Sequence, residues 1–237
     1  MKKLIVVAND IEASGKSTVA RAIASHLTNL EINCALISSD ERELDRGFKG
    51  EFWDFQDDME VSQLIFNLDR YDVVVLDVQS GMARVWAEFC EENEIDDLLN
   101  EMNVEMTMVI PCNESERSNE EVVDLAEIFS DQTDYVIAHL PLEVRGSREV
   151  AWKGSGAAKA VKYLGAYEAN MPEIGAALKT ALKSADMDLV KAFDNLKEVP
   201  RFLEVQAMQW LDEAAAALAE SEEYLVPEEI GGLVASY

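Results

Sequence analysis

The sequence predicts an α/β protein of three layers, with a mostly parallel, twisted sheet between helices and a helical C-terminal extension. Two observations carry this. Up to about residue 140, short runs that are apolar throughout alternate with longer segments of helical period, which is the pattern of a parallel sheet covered on both faces. Beyond residue 140 the strand runs stop, and from residue 174 onward the pattern is helical.

The elements follow in order. Leu4-Ile5-Val6-Val7-Ala8 is a β-branched run of buried-strand type. Residues 16–29 read as a helix with Val19, Ile23 and Leu27 on one stripe. Cys34-Ala35-Leu36-Ile37 is a second strand, residues 59–69 a helix, and Asp72-Val73-Val74-Val75-Leu76 the most strand-like segment of all. A helix is expected over about 82–98, a strand over 106–110, a helix over 117–129 and a strand over 134–138. Residues 141–157, with Pro141, Gly146, Gly154 and Gly156, read as an irregular connection. Leu203, Ala207, Leu211, Ala214 and Leu218 then line one stripe of an alanine-rich helix that starts after Pro200. The division expected is a core over 1–165 and an extension over 166–237 packed on it, with a loosely held tail around Gly231-Gly232.

Composition excludes more than it identifies. The 237 residues hold 47 acidic and 20 basic side chains, a net charge of −27, yet 49% are hydrophobic, enough to bury a core. The charge therefore sits on a folded surface that repels nucleic acid and anionic membrane. Its distribution is uneven: residues 145–201 carry ten basic and seven acidic side chains, +3, which leaves −30 for the rest. DNA contact is expected only through that segment. Cys34, Cys90 and Cys112 are odd in number and far apart, so neither a disulfide framework nor a zinc spacing is visible. The N-terminal apolar run of about five residues is shorter than a signal-peptide core of roughly 7–15. With no stretch of roughly 20 apolar residues either, a soluble cytoplasmic protein without membrane attachment is expected.

In parallel sheets ligands bind outside the carboxyl ends of the strands. There the first strand runs into Asp10-Ile11-Glu12-Ala13-Ser14-Gly15-Lys16-Ser17-Thr18 and opens a helix. This is a phosphate-binding loop, G-x-x-x-x-G-K-[ST], with Asp10 in place of the first glycine. Gly15 lets the backbone approach phosphate, and Ala13, Ser14 and the helix N-terminus offer N–H groups. Lys16 supplies charge to the β- and γ-phosphates, Ser17 a hydroxyl to Mg²⁺, and Thr18 a contact to the α-phosphate. Asp10 and Glu12 set negative charge beside this site. Val73-Val74-Val75-Leu76-Asp77-Val78-Gln79-Ser80-Gly81 fits the second NTPase motif, in which Asp77 holds Mg²⁺ through water and the Gly81 N–H meets the γ-phosphate. Asp40, ending the second strand, is placed to orient the attacking water or to cap a turn. The fold class is thus that of a P-loop NTPase, with ATP and Mg²⁺ as cofactors.

The order of strand, G-K-S-T loop, strand ending in Asp and hhhhDxxxG resembles the ParA/MinD group of deviant Walker ATPases, including plasmid-partition and TraL-like conjugative-transfer members. The resemblance spans about residues 1–140. It implies a nucleotide-bound homodimer, slow hydrolysis and a partner protein. The group's loop, K-G-G-x-G-K-[ST]-T, places its signature lysine at Ile11 and its two glycines at Glu12 and Ala13, so all three are absent here. That lysine crosses to the partner's phosphates in the group, and Lys153, within Trp152-Lys153-Gly154-Ser155-Gly156, is the basic residue proposed to replace it. The group's D-x-D keeps its second Asp as Asp40, with Ser38 at the first position. The asparagine with which members read adenine falls at His139. Two other functions fit the residues: a small-molecule P-loop kinase with Asp40 as substrate base, although Arg42 and Arg46 are the only arginines near the second strand end, or a nucleotide-binding adaptor with little turnover.

Overall fold

The computed structural model describes residues 1–45, 48, 50–54, 60–113, 115–130, 132–140 and 152–228. Seven strands form one sheet: β1 (Lys2–Val7), β2 (Cys34–Ser38), β3 (Glu51–Phe52), β4 (Val73–Asp77), β5 (Val104–Cys112), β6 (Asp134–His139) and β7 (Tyr167–Asn170). Their order is β3-β2-β4-β1-β5-β6-β7 and every pairing is parallel. The expected α/β sheet is present. β1 lies at its centre, with Val7 level with Asp77 on β4 and Val109 on β5. The chain winds outward from β1 to one side, then crosses to the other after β4, which opens a crevice at the carboxyl ends of β1 and β4.

Side-chain alternation divides the interior into two cores. On β1 and β4, Ile5, Val7, Val73 and Val75 face one layer, and Leu4, Val6, Val74 and Leu76 face the other. The first layer is α1 (Lys16–Asn29) with α8 (Ala176–Ala185), α9 (Leu189–Asp194) and α10 (Arg201–Leu218). α2 (Arg42–Asp45) is a single turn beside β2. The second layer holds α3 (Val61–Arg70), α4 (Ala83–Glu92), α5 (Ile95–Glu101), α6 (Glu116–Phe129) and α7 (Gly156–Tyr163). A short turn, α11 (Glu222–Leu225), closes the described chain.

Several elements depart from the sequence reading. The single helix expected over 82–98 is two, because the Asn93 side chain donates to the Phe89 carbonyl at 2.9 Å and Glu94 adopts φ 50°. The break lets Ile95 and Leu99 turn into the second core. α7 begins at residue 156, inside the segment read as irregular; the rest of that segment to residue 151, and the Gly231-Gly232 tail, lie outside the described residues. β7 was not expected, since Ala169 is its sole fully buried side chain, and a polar edge strand has no apolar run to reveal it.

α10 fits the reading closely. All five predicted stripe residues are buried, Pro200 occupies the N-cap, and Trp210 donates to the Pro172 carbonyl at 3.1 Å while its ring lies tilted against Phe193 at 5.5 Å. Near the opposite end of β1, Lys3 is 1% exposed and lies 2.7 Å from Glu105, the partner that a buried ammonium requires.

The sheet also separates the basic residues of the 145–201 segment. Lys159 and Lys162 lie exposed on α7, in the second layer, whereas Lys179, Lys183, Lys197 and Arg201 are exposed in or beside the α8–α10 layer. Arg145 and Arg148 lie outside the described residues. Among the described residues, no helix is long and apolar enough to cross a membrane.

Candidate functional site

The loop between β1 and α1 is held by its own polar side chains. Asn9, buried, donates to the Pro111 carbonyl on β5 at 2.8 Å and accepts from the Ile11 N–H at 2.8 Å. The Asp10 N–H donates to Glu121 on α6 at 2.8 Å, and the Asp10 carboxylate accepts from the Ala83 N–H at 3.0 Å. Asp10 therefore caps α4, with its charge directed at a helix N-terminus. The residue that replaces the loop's first glycine and sets negative charge beside it thus has a structural occupation. Burial pushes the nearby Glu121 carboxyl above its usual range, partly offset by its hydrogen bond from Asp10.

Two residues then turn left-handed, Ala13 at φ 55° and Gly15 at φ 88°. Gly15 is the N-cap of α1 and supplies no side-chain cap, so the first-turn amides face outward. A Cβ at Gly15 would stand 2.5 Å from Leu140 Cδ1, so the end of β6 abuts the loop at this point. α6, α7 and α9, by contrast, are capped by Ser115, Ser155 and Asp188.

Below these amides lies a cleft of about 490 Å³ lined by Glu12 to Thr18, Asp40, Arg42, Asp77 to Ser80, Asp188 and Val190. It brings together Ala13, Ser14, Gly15, Lys16, Ser17, Thr18, Asp40 and Asp77, eight of the residues singled out from the sequence. Lys16, 6% exposed, donates to the Ser80 hydroxyl at 2.8 Å, the Ile11 carbonyl at 3.1 Å and the Ser14 hydroxyl at 3.3 Å. Burial pulls its pKa below lysine's ordinary value, and the carboxylates of Asp77, Asp10, Glu121 and Asp40 oppose that fall.

Asp40 is gripped by Arg42, whose Nε and Nη2 reach its two oxygens at 2.9 and 2.8 Å. The ends of β2 and β4 are stitched together: the Ser39 N–H donates to the Asp77 carbonyl at 3.0 Å and the Ser39 hydroxyl accepts from the Gln79 N–H at 2.8 Å. The Ser17 hydroxyl and the Asp77 carboxylate are hard oxygen donors. Among the described residues, no group of three or more His, Cys, Asp and Glu could hold a metal by itself. Such a sparse donor set suits Mg²⁺, which keeps several waters and takes further oxygens from substrate phosphates.

Three residues named from the sequence lie outside the cleft lining. Gly81 follows Ser80 at φ 82° in a turn closed by the Met82 N–H and the Gln79 carbonyl. His139 is buried, with Nε2 2.9 Å from Glu168 on β7 and its ring edge-on to Trp152 at 4.7 Å. Lys153 is exposed beside that cluster. Sequence reasoning assigned no site role to Arg42, Ser80, Asp188 and Val190, all of which line the cleft. Arg42, two residues from Asp40, and Ser80, inside the D-x-x-x-G stretch, could have been found by proximity. The others are placed here by folding alone.

No family model and no curated protein matches the chain. Among solved structures it is similar to the MinD cell division protein of Aquifex aeolicus, at 16% identity over 93% of this chain and 97% of that one, with a TM-score of 0.46. A nucleotide-binding protein in complex with ADP from Archaeoglobus fulgidus aligns at 14% identity over 85% and 90%, TM-score 0.46. Apo McdA from Cyanothece aligns at 15% over 92% and 99%, TM-score 0.42.

The fate of Asp10 yields an expected result. Asp10→Asn retains the oxygen that caps α4 and removes a charge close to the loop. Nucleotide affinity should rise roughly three- to tenfold, about 1 kcal/mol at an effective dielectric between protein and water. Stability should stay within about 0.5 kcal/mol, since Asn caps as well as Asp. Titration of a fluorescent ATP analogue alongside urea unfolding checks both.

Proposed function

We propose that this chain is a Mg²⁺-dependent ATP-binding and slowly hydrolysing switch of the ParA/MinD kind. Its nucleotide state would control pairing of two copies and binding of a partner protein, in plasmid or cargo partitioning or in conjugative DNA transfer. One observation carries the reading: a nearly buried ammonium, Lys16, sits at an uncapped helix N-terminus in a cleft otherwise rich in carboxylates, held by a carbonyl and hydroxyls that a phosphate can replace.

In this reading Lys16 and the first-turn amides stabilise the phosphoryl charge. Ser17 and Asp77 hold Mg²⁺, which neutralises phosphate charge when bound. Asp40 orients water once Arg42 releases it. Ser80 bonds Lys16 and the Ile11 carbonyl, so phosphate that claims Lys16 loosens the loop after β4 and alters the surface it presents. The nucleotide-binding body lies within residues 1–165, and the helices within 166–237 meet the partner. DNA, if bound, would use the α8–α10 layer, which carries most of the described basic residues of 145–201.

The Arg42 grip on Asp40 favours a second reading, an adaptor that binds nucleotide with little turnover. Light scattering with Mg²⁺-ATP and phosphate release decide between them. A mass that doubles with ATP, together with measurable hydrolysis lost in Asp40→Ala, supports the switch. Binding without phosphate release leaves the adaptor, and no binding of any Mg²⁺-nucleotide sinks both.

A further inference from the structure

Arg21 sits on α1 one turn beyond Ser17. Its Nε and Nη2 donate to the two carboxylate oxygens of Asp194 on α9 at 2.9 and 2.8 Å. Its Nη1 donates to the Ser17 carbonyl at 3.2 Å and lies 3.6 Å from Asp77 Oδ2. The Phe48 ring lies 5.1 Å from the guanidinium carbon. The side chains of Arg21, Asp77 and Asp194 are 4%, 3% and 8% exposed. One guanidinium thus serves two buried carboxylates, one on the cleft and one on the helix whose Val190 lines the same cleft.

We propose that Arg21 is a positioning residue for Asp77, and that Asp194 sets how much of the guanidinium Asp77 receives, so that α9 governs the divalent-cation affinity of the nucleotide site. The inference rests on the nucleotide-binding reading above. A two-pronged carboxylate pair is short, charge-assisted and geometrically demanding. The Asp77 contact, at 3.6 Å, is longer than a hydrogen bond, which leaves that carboxylate able to accept a hard cation. The three groups sum to −1, and the excess lies toward the cleft.

If Asp194 is neutralised or drawn away with α9, the guanidinium turns to Asp77. In this water-poor setting a close ion pair forms there, and a divalent cation must displace it. By linkage, a cation at Asp77 returns Arg21 to Asp194 and steadies α9. A partner that moves α9 would therefore reset the metal requirement of the site without touching nucleotide.

The test titrates a fluorescent ATP analogue at a series of Mg²⁺ concentrations against the full chain. Asp194→Asn should raise the Mg²⁺ needed for half-maximal binding about tenfold, within the usual span of such couplings, while metal-free affinity stays within about twofold. Asp194→Glu should return the requirement toward wild type. The double variant Arg21→Gln/Asp194→Asn removes both charges; it should need less Mg²⁺ than wild type, and it keeps the question answerable if the single variant folds poorly. A purely structural role for the pair would weaken binding equally with and without Mg²⁺, in step with thermal stability, and that pattern overturns the proposal. So does an unchanged requirement in Asp194→Asn, or a double variant that needs as much Mg²⁺ as wild type or more. A wild-type chain that binds no nucleotide at any Mg²⁺ level removes the nucleotide reading and this inference together; wild-type binding with insensitive variants removes this inference alone.

Discussion

Lys16→Ala should abolish measurable nucleotide binding, weakening it about a hundredfold or more. The ammonium is the sole basic group that the loop Asp10–Thr18 brings to the cleft. Replacing its carbonyl and hydroxyl partners with phosphate oxygens exchanges neutral acceptors for charged ones. Charge-assisted bonds of this kind are each worth roughly 1.5–3 kcal/mol, and two of them account for about 3 kcal/mol or more. The variant also removes a positive charge that Asp77, Asp10 and Asp40 feel through space, which adds repulsion against an incoming polyphosphate. Titration with the fluorescent analogue measures the loss. Far-ultraviolet circular dichroism should be unchanged, because the Lys16 bonds stay within the loop and its neighbour Ser80. Retention of wild-type affinity would remove the site assignment.

Trp210→Ala should cost about 3–5 kcal/mol of global stability, as expected for truncating a large buried aromatic side chain. Trp210 is 3% exposed, packs against the Phe193 ring of α9, and donates to the Pro172 carbonyl. Its removal opens a cavity between α10 and α9, takes the donor from the Pro172 carbonyl, and loosens the helix that carries Asp194. Urea unfolding followed by tyrosine and residual tryptophan fluorescence would show the lowered midpoint. A loss below about 1 kcal/mol would mean that the C-terminal helices are held chiefly by other contacts.

The sheet and its loop were legible in the sequence because their signals are local. β1, the Gly15-Lys16-Ser17-Thr18 turn and α1 are contiguous, and the β-branched run before Asp77 can scarcely be read as anything but a buried strand. The features that escaped were those set by distance or by polarity. Asp194 reaches Arg21 across 173 positions, and no periodicity ties the two. Asp10 read as misplaced charge because the helix it caps begins at Ala83. β7 presents a single buried side chain, and the break at Asn93–Glu94 depends on a side-chain bond that hydrophobic spacing does not register. His139, placed by analogy at a base contact, lies against Glu168 on β7 and the Trp152 ring.

Gly15 carries a consequence of another sort. The left-handed backbone at φ 88° favours a glycine there whether or not phosphate ever arrives, and a side chain would in addition have to push aside the tip of Leu140. Descendants that had abandoned nucleotide would still be favoured in keeping the glycine, whereas a nearly buried ammonium bonded only to neutral acceptors costs more to keep than a neutral neighbour. The two halves of the Gly15-Lys16 pair would then drift apart among relatives: a retained glycine beside a variable neighbour would record a lineage that no longer binds nucleotide, and joint preservation a lineage still selected for binding.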